Sequence, residues 1–385
     1  MKTRLFTPGP TQIPEQIRLS QAQSIIHHRS EAFSKIFVEV NELLQYVFQT
    51  DNGVFTFSSS GTGAMEAVIA NTLNPGDEVL AVRGGKFGER WAEIGEAYGA
   101  TVHTLDVEWG CAPPPAKIEE MLRRYPDIKA VCTQLVETST GALYDIKEIG
   151  RIVAGTPAVL VVDAISGLGG EHFLADKWGV DIVVAGSQKA LMLPPGLSFV
   201  SISQKAWRLV EQVNNPRYYW SFAKAKAALD KDQTPFTPAI ALVVALRESL
   251  LTIRQESIEK VIQRHQVCAS AMRSGVQALG LCVLGDPPAN TLTAIELPQG
   301  VSEKQLSAVL RDDFGVLVAG GQARLAGKIV RMAHMGWVDA LDVISSISAL
   351  EMSLHRLGYD LQLGAGVQAV EKMLLGVNHP GTRQA

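Results

Sequence analysis

Four groups of residues in this chain carry side chains suited to covalent or acid–base chemistry. Lys189 stands in Gly186-Ser187-Gln188-Lys189-Ala190, just past the apolar run 181–184, and is followed by Leu191-Met192-Leu193-Pro194-Pro195-Gly196 rather than by a polar turn. An amine held in such surroundings loses hydration, which lowers its pKa and favours the neutral, nucleophilic form. That form captures a carbonyl as a Schiff base; the ordinary alternative is a solvated lysine after a strand. Asp163 directly follows the apolar run 159–162. The carboxyl end of a buried strand is where ligands bind in open α/β sheets, although a helix-capping aspartate fits the same position. Ser58-Ser59-Ser60-Gly61-Thr62-Gly63 joins a short β-rich run to an apolar helical segment. A small-residue turn there exposes backbone N–H groups and the positive end of the helix dipole, a cup for a phosphate or simply a capped turn. Arg331, in Val330-Arg331-Met332, is either an outward-facing residue or a fork for a carboxylate.

These groups need elements to position them. Between about 50 and 205, β-rich runs (Val54–Phe57, 78–82, 130–136, 158–162, 181–184 and 197–202) alternate with helical or loop segments. Several runs are apolar throughout, as strands buried on both faces are. The pattern predicts a largely parallel sheet covered by helices. Residues 31–48 carry a helical stripe (Phe33, Ile36, Phe37, Val40, Leu43, Leu44, Val47) with Ser30 as N-cap. Residues 239–280 read as mostly helix. Shorter strands (281–284, 291–296, 315–318, 328–332) and two amphipathic helices (303–312, 338–357) then predict a smaller α+β unit. The polar tail 378–385 is expected to fray.

A strand-end aspartate, a lysine 26 residues later and a phosphate cup in one α/β unit fit pyridoxal phosphate better than any other cofactor. That cofactor needs a lysine for its aldehyde, an anion for its pyridinium nitrogen and an anchor for its phosphate. The cup is neither a Walker loop nor a dinucleotide-binding fingerprint.

The residues also carry a family resemblance along nearly the whole chain. Thr7-Pro8-Gly9-Pro10-Thr11, Ser60-Gly61-Thr62-Gly63-Ala64-Met65-Glu66, Glu137-Thr138-Ser139-Thr140-Gly141, Val162-Asp163-Ala164, Gly186-Ser187-Gln188-Lys189-Ala190 and Val330-Arg331-Met332 resemble class V, fold-type I, pyridoxal-phosphate aminotransferases, most of all the alanine–glyoxylate and serine–glyoxylate branch. The resemblance implies a large domain, 16–256, with a mainly parallel seven-stranded sheet. It further implies a small α+β domain, 257–385, an N-terminal segment, 1–15, lining the site, and a homodimer with the site at its interface. Lys189 would hold the cofactor and shuttle a proton, and Asp163 would pair with the ring nitrogen. Ser60, Gly61, Thr62 and Gln188 would bind the phosphate, joined by Thr237 of the neighbouring subunit. Phe87 would stack on the ring, and Thr138 would approach its hydroxyl. Arg331 would bind the substrate carboxylate beside Gly9. His28-Arg29 resembles a pair with which phosphoserine aminotransferases, a related group, contact a phosphate; Arg29 would meet a second anionic group. The expected reaction moves an amino group from a small L-amino acid, alanine or serine first, to glyoxylate. Ureidoglycine, 2-aminoethylphosphonate or an acidic amino acid are the alternative donors. A non-catalytic subunit that keeps the fold is the remaining alternative.

Composition narrows the remaining classes. Lys and Arg number 35 against 39 Asp and Glu, a net charge of −4, so neither nucleic acid nor an anionic membrane is an expected partner. Charged residues make up only 19%, which suits a chain that buries surface against another subunit. The four cysteines form no C-x-x-C pair and no zinc-type cluster, so no metal is expected. No cysteine follows Cys282, which argues against a desulfurase with a nucleophilic thiol on a late loop. The opening Met1-Lys2-Thr3-Arg4 does not lead into an apolar segment, and no apolar run reaches membrane-spanning length. A cytoplasmic protein with reduced thiols is expected.

Overall fold

The computed structural model describes residues 2–376; the tail expected to fray, 378–385, lies outside the described residues. Seven strands form the central sheet: β1 (Val54–Phe57), β2 (Glu78–Arg83), β3 (Thr101–Asp106), β4 (Ile128–Gln134), β5 (Val159–Asp163), β6 (Ile182–Gly186) and β7 (Ser198–Ile202). Their spatial order is β1-β7-β6-β5-β4-β2-β3. All pairings from β3 to β6 are parallel, and only β7 runs antiparallel to both its neighbours. The expected mainly parallel seven-stranded α/β architecture is therefore present.

The uniformly apolar strands bury both faces. In β5, Val159 and Val161 enter one core while Leu160 and Val162 enter the other. Helix α1 (Glu31–Phe48) covers one face with Phe33, Phe37, Val40, Leu43, Leu44 and Val47, and Ser30 Oγ accepts from Phe33 N as its cap. Helices α2 (Gly61–Thr72) and α3 (Lys86–Ala97) cover the other through Met65, Val68, Ile69 and Trp91.

Four expectations from the sequence are corrected by the structure. β3 was not foreseen: its sequence, Thr-Val-His-Thr-Leu-Asp, is polar because it is the sheet edge and none of it is fully buried. The helical stretch 239–280 is two helices, Ile240–Glu256 and Ile258–Ala278, broken at Ser257, whose φ of +72° no helix accommodates. Residues 281–284 make a single bridge, Val283 to Ile295, and no strand. The segment 315–318 is divided: Gly315 (φ +66°) ends helix Glu303–Phe314 in the left-handed region, and Val316–Leu317 then pairs in parallel with Arg4–Leu5. That pairing stitches the N-terminus to the later part of the chain. There a small sheet, ordered Leu292–Glu296, Ile329–Ala333, Ala319–Gly320, has its own core around Phe6, Met272, Met332 and Leu350.

Candidate active site

Asp163 is the last residue of β5 and is 5% exposed. Its Oδ1 accepts from Ile165 N at 2.8 Å, and among the described residues Oδ2 has no donor. Burial raises its carboxyl to about 7; nearby Glu137 adds to the rise, while Lys189 and Arg90 oppose it. Lys189 lies in the turn after β6, 9% exposed. Ser187 ties that turn, its Oγ donating to Pro194 O at 2.7 Å and accepting from Leu197 N at 3.2 Å. Burial lowers the Lys189 amine to about 8; Arg331 and Arg90 push it further down, and Asp163 holds it up. The two groups thus titrate far closer together than a free aspartate and lysine do.

The N-terminal segment lies directly against the lysine. Lys189 Nζ donates to Pro8 O, and Thr11 Oγ1 donates to Lys189 O at 2.9 Å. Gly9 has φ +131°, which strains any side-chain-bearing residue, and a Cβ there would fall 2.7 Å from Nζ and push the lysine aside.

The small-residue turn after β1 sits beside Asp163. A Cβ on Gly61 would fall 2.3 Å from Ile165 Cδ1, the neighbour whose N–H holds the aspartate. Ser58 Oγ accepts from Ala239 N at 3.0 Å, and Ser59 Oγ shares a 2.6 Å hydrogen bond with Ser198 Oγ. Ser60 occupies the N-cap of α2 but makes no side-chain cap bond and is exposed. Gln188 Oε1 is buried without a partner. Thr62 Oγ1 accepts from Arg90 Nη1 at 3.1 Å, and the Arg90 guanidinium lies 4.9 Å from the Phe87 ring centroid.

Arg331, 6% exposed, projects from the small sheet to the turn that carries Thr138. Its Nε donates to Gly320 O and its Nη1 to Thr138 O, both at 3.0 Å. Its Nη2 has no acceptor among the described residues. Thr138 Oγ1 donates to Ser166 Oγ at 2.6 Å, in the turn that follows Asp163. Burial makes the Arg331 charge costly and lowers its pKa, while Glu137 and Glu303 support it.

Glu137 is a site residue whose role the motif did not reveal. Its buried carboxylate accepts from Gly88 N at 3.0 Å, Phe87 N at 3.4 Å, Ser139 N at 3.1 Å and Ser139 Oγ at 2.5 Å. It therefore caps α3, which lacks a side-chain cap of its own, and clamps the helix carrying Phe87 and Arg90 to the turn carrying Thr138. Burial raises its pKa; the four hydrogen bonds pull the other way. Arg90 is a second site residue that no motif marks. The available signal was its spacing, three residues beyond Phe87 on a helix, which puts both on one face.

The chain brings Lys189, Asp163, Gly9, Gly61, Thr62, Phe87, Thr138, Gln188 and Arg331 into one neighbourhood. Arg29 and Thr237 stand apart from it. Arg29 Nη1 donates to Gln233 Oε1 at 2.7 Å and Thr234 O at 2.8 Å. Thr237 is exposed in the same segment, lining a cleft with Thr56, Phe57 and Ser58. Among the described residues no helix is long and apolar enough to cross a membrane.

Similar proteins give this arrangement a context. A soluble hydrogenase small subunit of Synechococcus sp. is 39% identical, aligning 97% of this chain with 98% of its own. L-aspartate–glyoxylate aminotransferase of Paracoccus denitrificans is 36% identical (96% and 95%), and serine–glyoxylate aminotransferase of Methylorubrum extorquens is 36% identical (97% and 96%). Among solved structures, ureidoglycine–glyoxylate aminotransferase of Bacillus subtilis superposes with a TM-score of 0.93 at 28% identity, over 97% of this chain and 98% of that one. The description Aminotransferase class-V matches residues 7–360. With nearly its whole length matched, this chain belongs to the class-V aminotransferases and is a transaminase.

Proposed function

We propose that this transaminase uses pyridoxal phosphate to move the amino group of a small L-amino acid, alanine or serine first, onto glyoxylate, in two half-reactions at one site. The observation that carries the reading is the pairing of a desolvated amine with a desolvated carboxyl at adjacent strand ends, Lys189 and Asp163. The residues present fit the cofactor. Asp163 leaves Oδ2 free for a protonated ring nitrogen, whose positive charge would offset the cost of its burial. The uncapped start of α2 exposes N–H donors that suit a phosphate, and Gln188 would meet it through its Nε2–H.

When bound, the cofactor supplies an aldehyde that condenses with amines and a ring that accepts the electron pair left on the substrate carbon. The chain's residues do the rest. Lys189 would hold the cofactor and, as the free amine, would move a proton to and from the substrate Cα; an amine brought down to about 8 can act in both directions near neutral pH. Asp163 keeps the ring nitrogen protonated. Ser60, Gly61, Thr62 and Gln188 would hold the phosphate, Phe87 would stack on the ring, and Thr138 would approach its hydroxyl. Arg331 offers Nη2 to the substrate carboxylate. Gly9 closes the pocket above the lysine and favours a small substrate.

Support for glyoxylate as acceptor comes from the names of three relatives. They share it while differing in donor: aspartate, serine and ureidoglycine. The donor is correspondingly open to ureidoglycine, 2-aminoethylphosphonate or an acidic amino acid. We propose a homodimer with Thr237 and Arg29 serving the partner's site, residues 16–256 as the cofactor-binding domain and 257–385 as the domain supplying Arg331. Exposed Tyr218, stacked 5.7 Å from Phe236, supports a covered surface next to Thr237. A cytoplasmic location completes the reading.

The test is a donor–acceptor matrix: each amino acid against glyoxylate, pyruvate and 2-oxoglutarate, followed as kcat/KM. Glyoxylate should serve with at least one small donor. Its failure with every donor would overturn the acceptor assignment.

A further inference from the structure

The contact between Arg90 and Thr62 carries a role that no motif in the chain specifies. Phe87 and Arg90 share one face of α3, and that face is turned toward the start of α2. Arg90 Nη1 donates to Thr62 Oγ1 at 3.1 Å, and its guanidinium stands 4.9 Å from the Phe87 ring centroid. The helix cannot swing this face away, because Glu137 grips its first amides at Phe87 and Gly88. A threonine hydroxyl has one proton and two lone pairs. With the arginine donating to its oxygen, Thr62 has its own proton left to give, and the described residues offer that proton no acceptor.

We infer that Arg90 is a positioning residue for a phosphate monoester: its hydrogen bond to Thr62 Oγ1 turns the Thr62 O–H into the cup as a donor, with the guanidinium charge directly behind it. This rests on the proposed reading of residues 58–62 as the cofactor's phosphate cup. A phosphate monoester carries nearly two negative charges at neutral pH, so an oriented donor backed by a cation suits it better than a freely rotating hydroxyl. The arginine acts through the threonine, which explains how a cup without a basic side chain of its own gains positive charge. The competing roles for Arg90 are support of the Phe87 ring and the pull of its charge on Asp163 and Lys189, and both would concern the cofactor's ring and aldehyde, not its phosphate.

Two probes separate these roles: pyridoxal phosphate, and pyridoxal, which has the ring and aldehyde but no phosphate. Each is titrated into the full-length protein freed of cofactor, following the absorbance of the bound chromophore. The wild type should bind both. R90Q and T62A should each weaken pyridoxal phosphate binding by about tenfold, the scale of one charge-assisted hydrogen bond, while leaving pyridoxal within about twofold. The double variant should be no weaker than the poorer single variant, because the two residues act as one unit. Should R90Q fail to fold, R90K keeps the charge and stem but lacks the planar fork, and it too should lose phosphate binding selectively. Equal losses for both probes, losses that multiply in the double variant, or unchanged phosphate binding in the arginine variants would overturn the inference. A wild-type protein that binds neither probe would contradict the cofactor reading itself, a distinguishable failure.

Discussion

Two regions bearing expected site residues differ sharply in how the chain holds them. Asp163 ends one strand and Lys189 follows another, every residue of both strands being buried, and hydrogen-bonded turns keep the two side chains in place. Arg29 and Thr237 sit on exposed segments, with Arg29 bonded to the loop that carries Thr237. The first region needs nothing beyond this chain to be chemically perturbed. The second lies on the surface, and its proposed role depends on a second copy. Rigid strand ends supply the chemistry and surface loops complete the site, a division common where function is mounted on a packed scaffold.

The largest effects should come from the strand-end region. Lys189→Ala should reduce the donor half-reaction by about 10⁴-fold, since it removes both the covalent partner and the acid–base group; stopped-flow absorbance would read this. Asp163→Asn should lower kcat by about 10²-fold while cofactor stays bound, because a buried charge is left without its counter-ion. Arg331→Gln should raise KM about tenfold for amino acid and keto acid alike, the signature of a lost carboxylate fork. In the exposed region, Thr237→Ala should weaken cofactor binding by only a few-fold, as one neutral hydrogen bond allows. That loss should be seen in the intact dimer and vanish as dilution drives the protein to monomer; an equal loss in the dimer and the monomer would erase the contrast between the two regions.

A smaller effect concerns pH. The carboxyl of Asp163 is raised to about 7 in the folded, cofactor-free chain, above its usual value near 4. The folded state therefore holds a proton that the unfolded state releases between those pH values, and stability falls as pH rises from about 4 to about 7. Glu171, also raised to about 7 by burial, works in the same direction. Asp163→Asn should flatten the decline in Tm of the cofactor-free protein across that window; an unchanged slope would count against a desolvated Asp163.

The residues most legible in the sequence were those on uniformly apolar strands, because burial on both faces leaves a plain mark. Lys189 and Asp163 could be singled out because each follows such a run and because a phosphate cup stands in the same unit, although either charge alone has an ordinary reading. β3 escaped notice for the converse reason: an edge strand with polar alternation looks like a loop. Arg90 and Glu137 were hidden because their importance lies in contacts across the fold. Nothing local to Glu137 shows that its carboxylate caps a helix 50 residues earlier. Ser257 gave no warning either, since a residue that is neither glycine nor asparagine seldom adopts positive φ.

The most direct test of the central claim is to reduce the purified, cofactor-loaded protein with borohydride and map the modified peptide by mass spectrometry. The account predicts a single pyridoxyl phosphate adduct on Lys189, absent from Lys189→Ala. An adduct on another lysine, or none on a protein that still catalyses transamination, would contradict it.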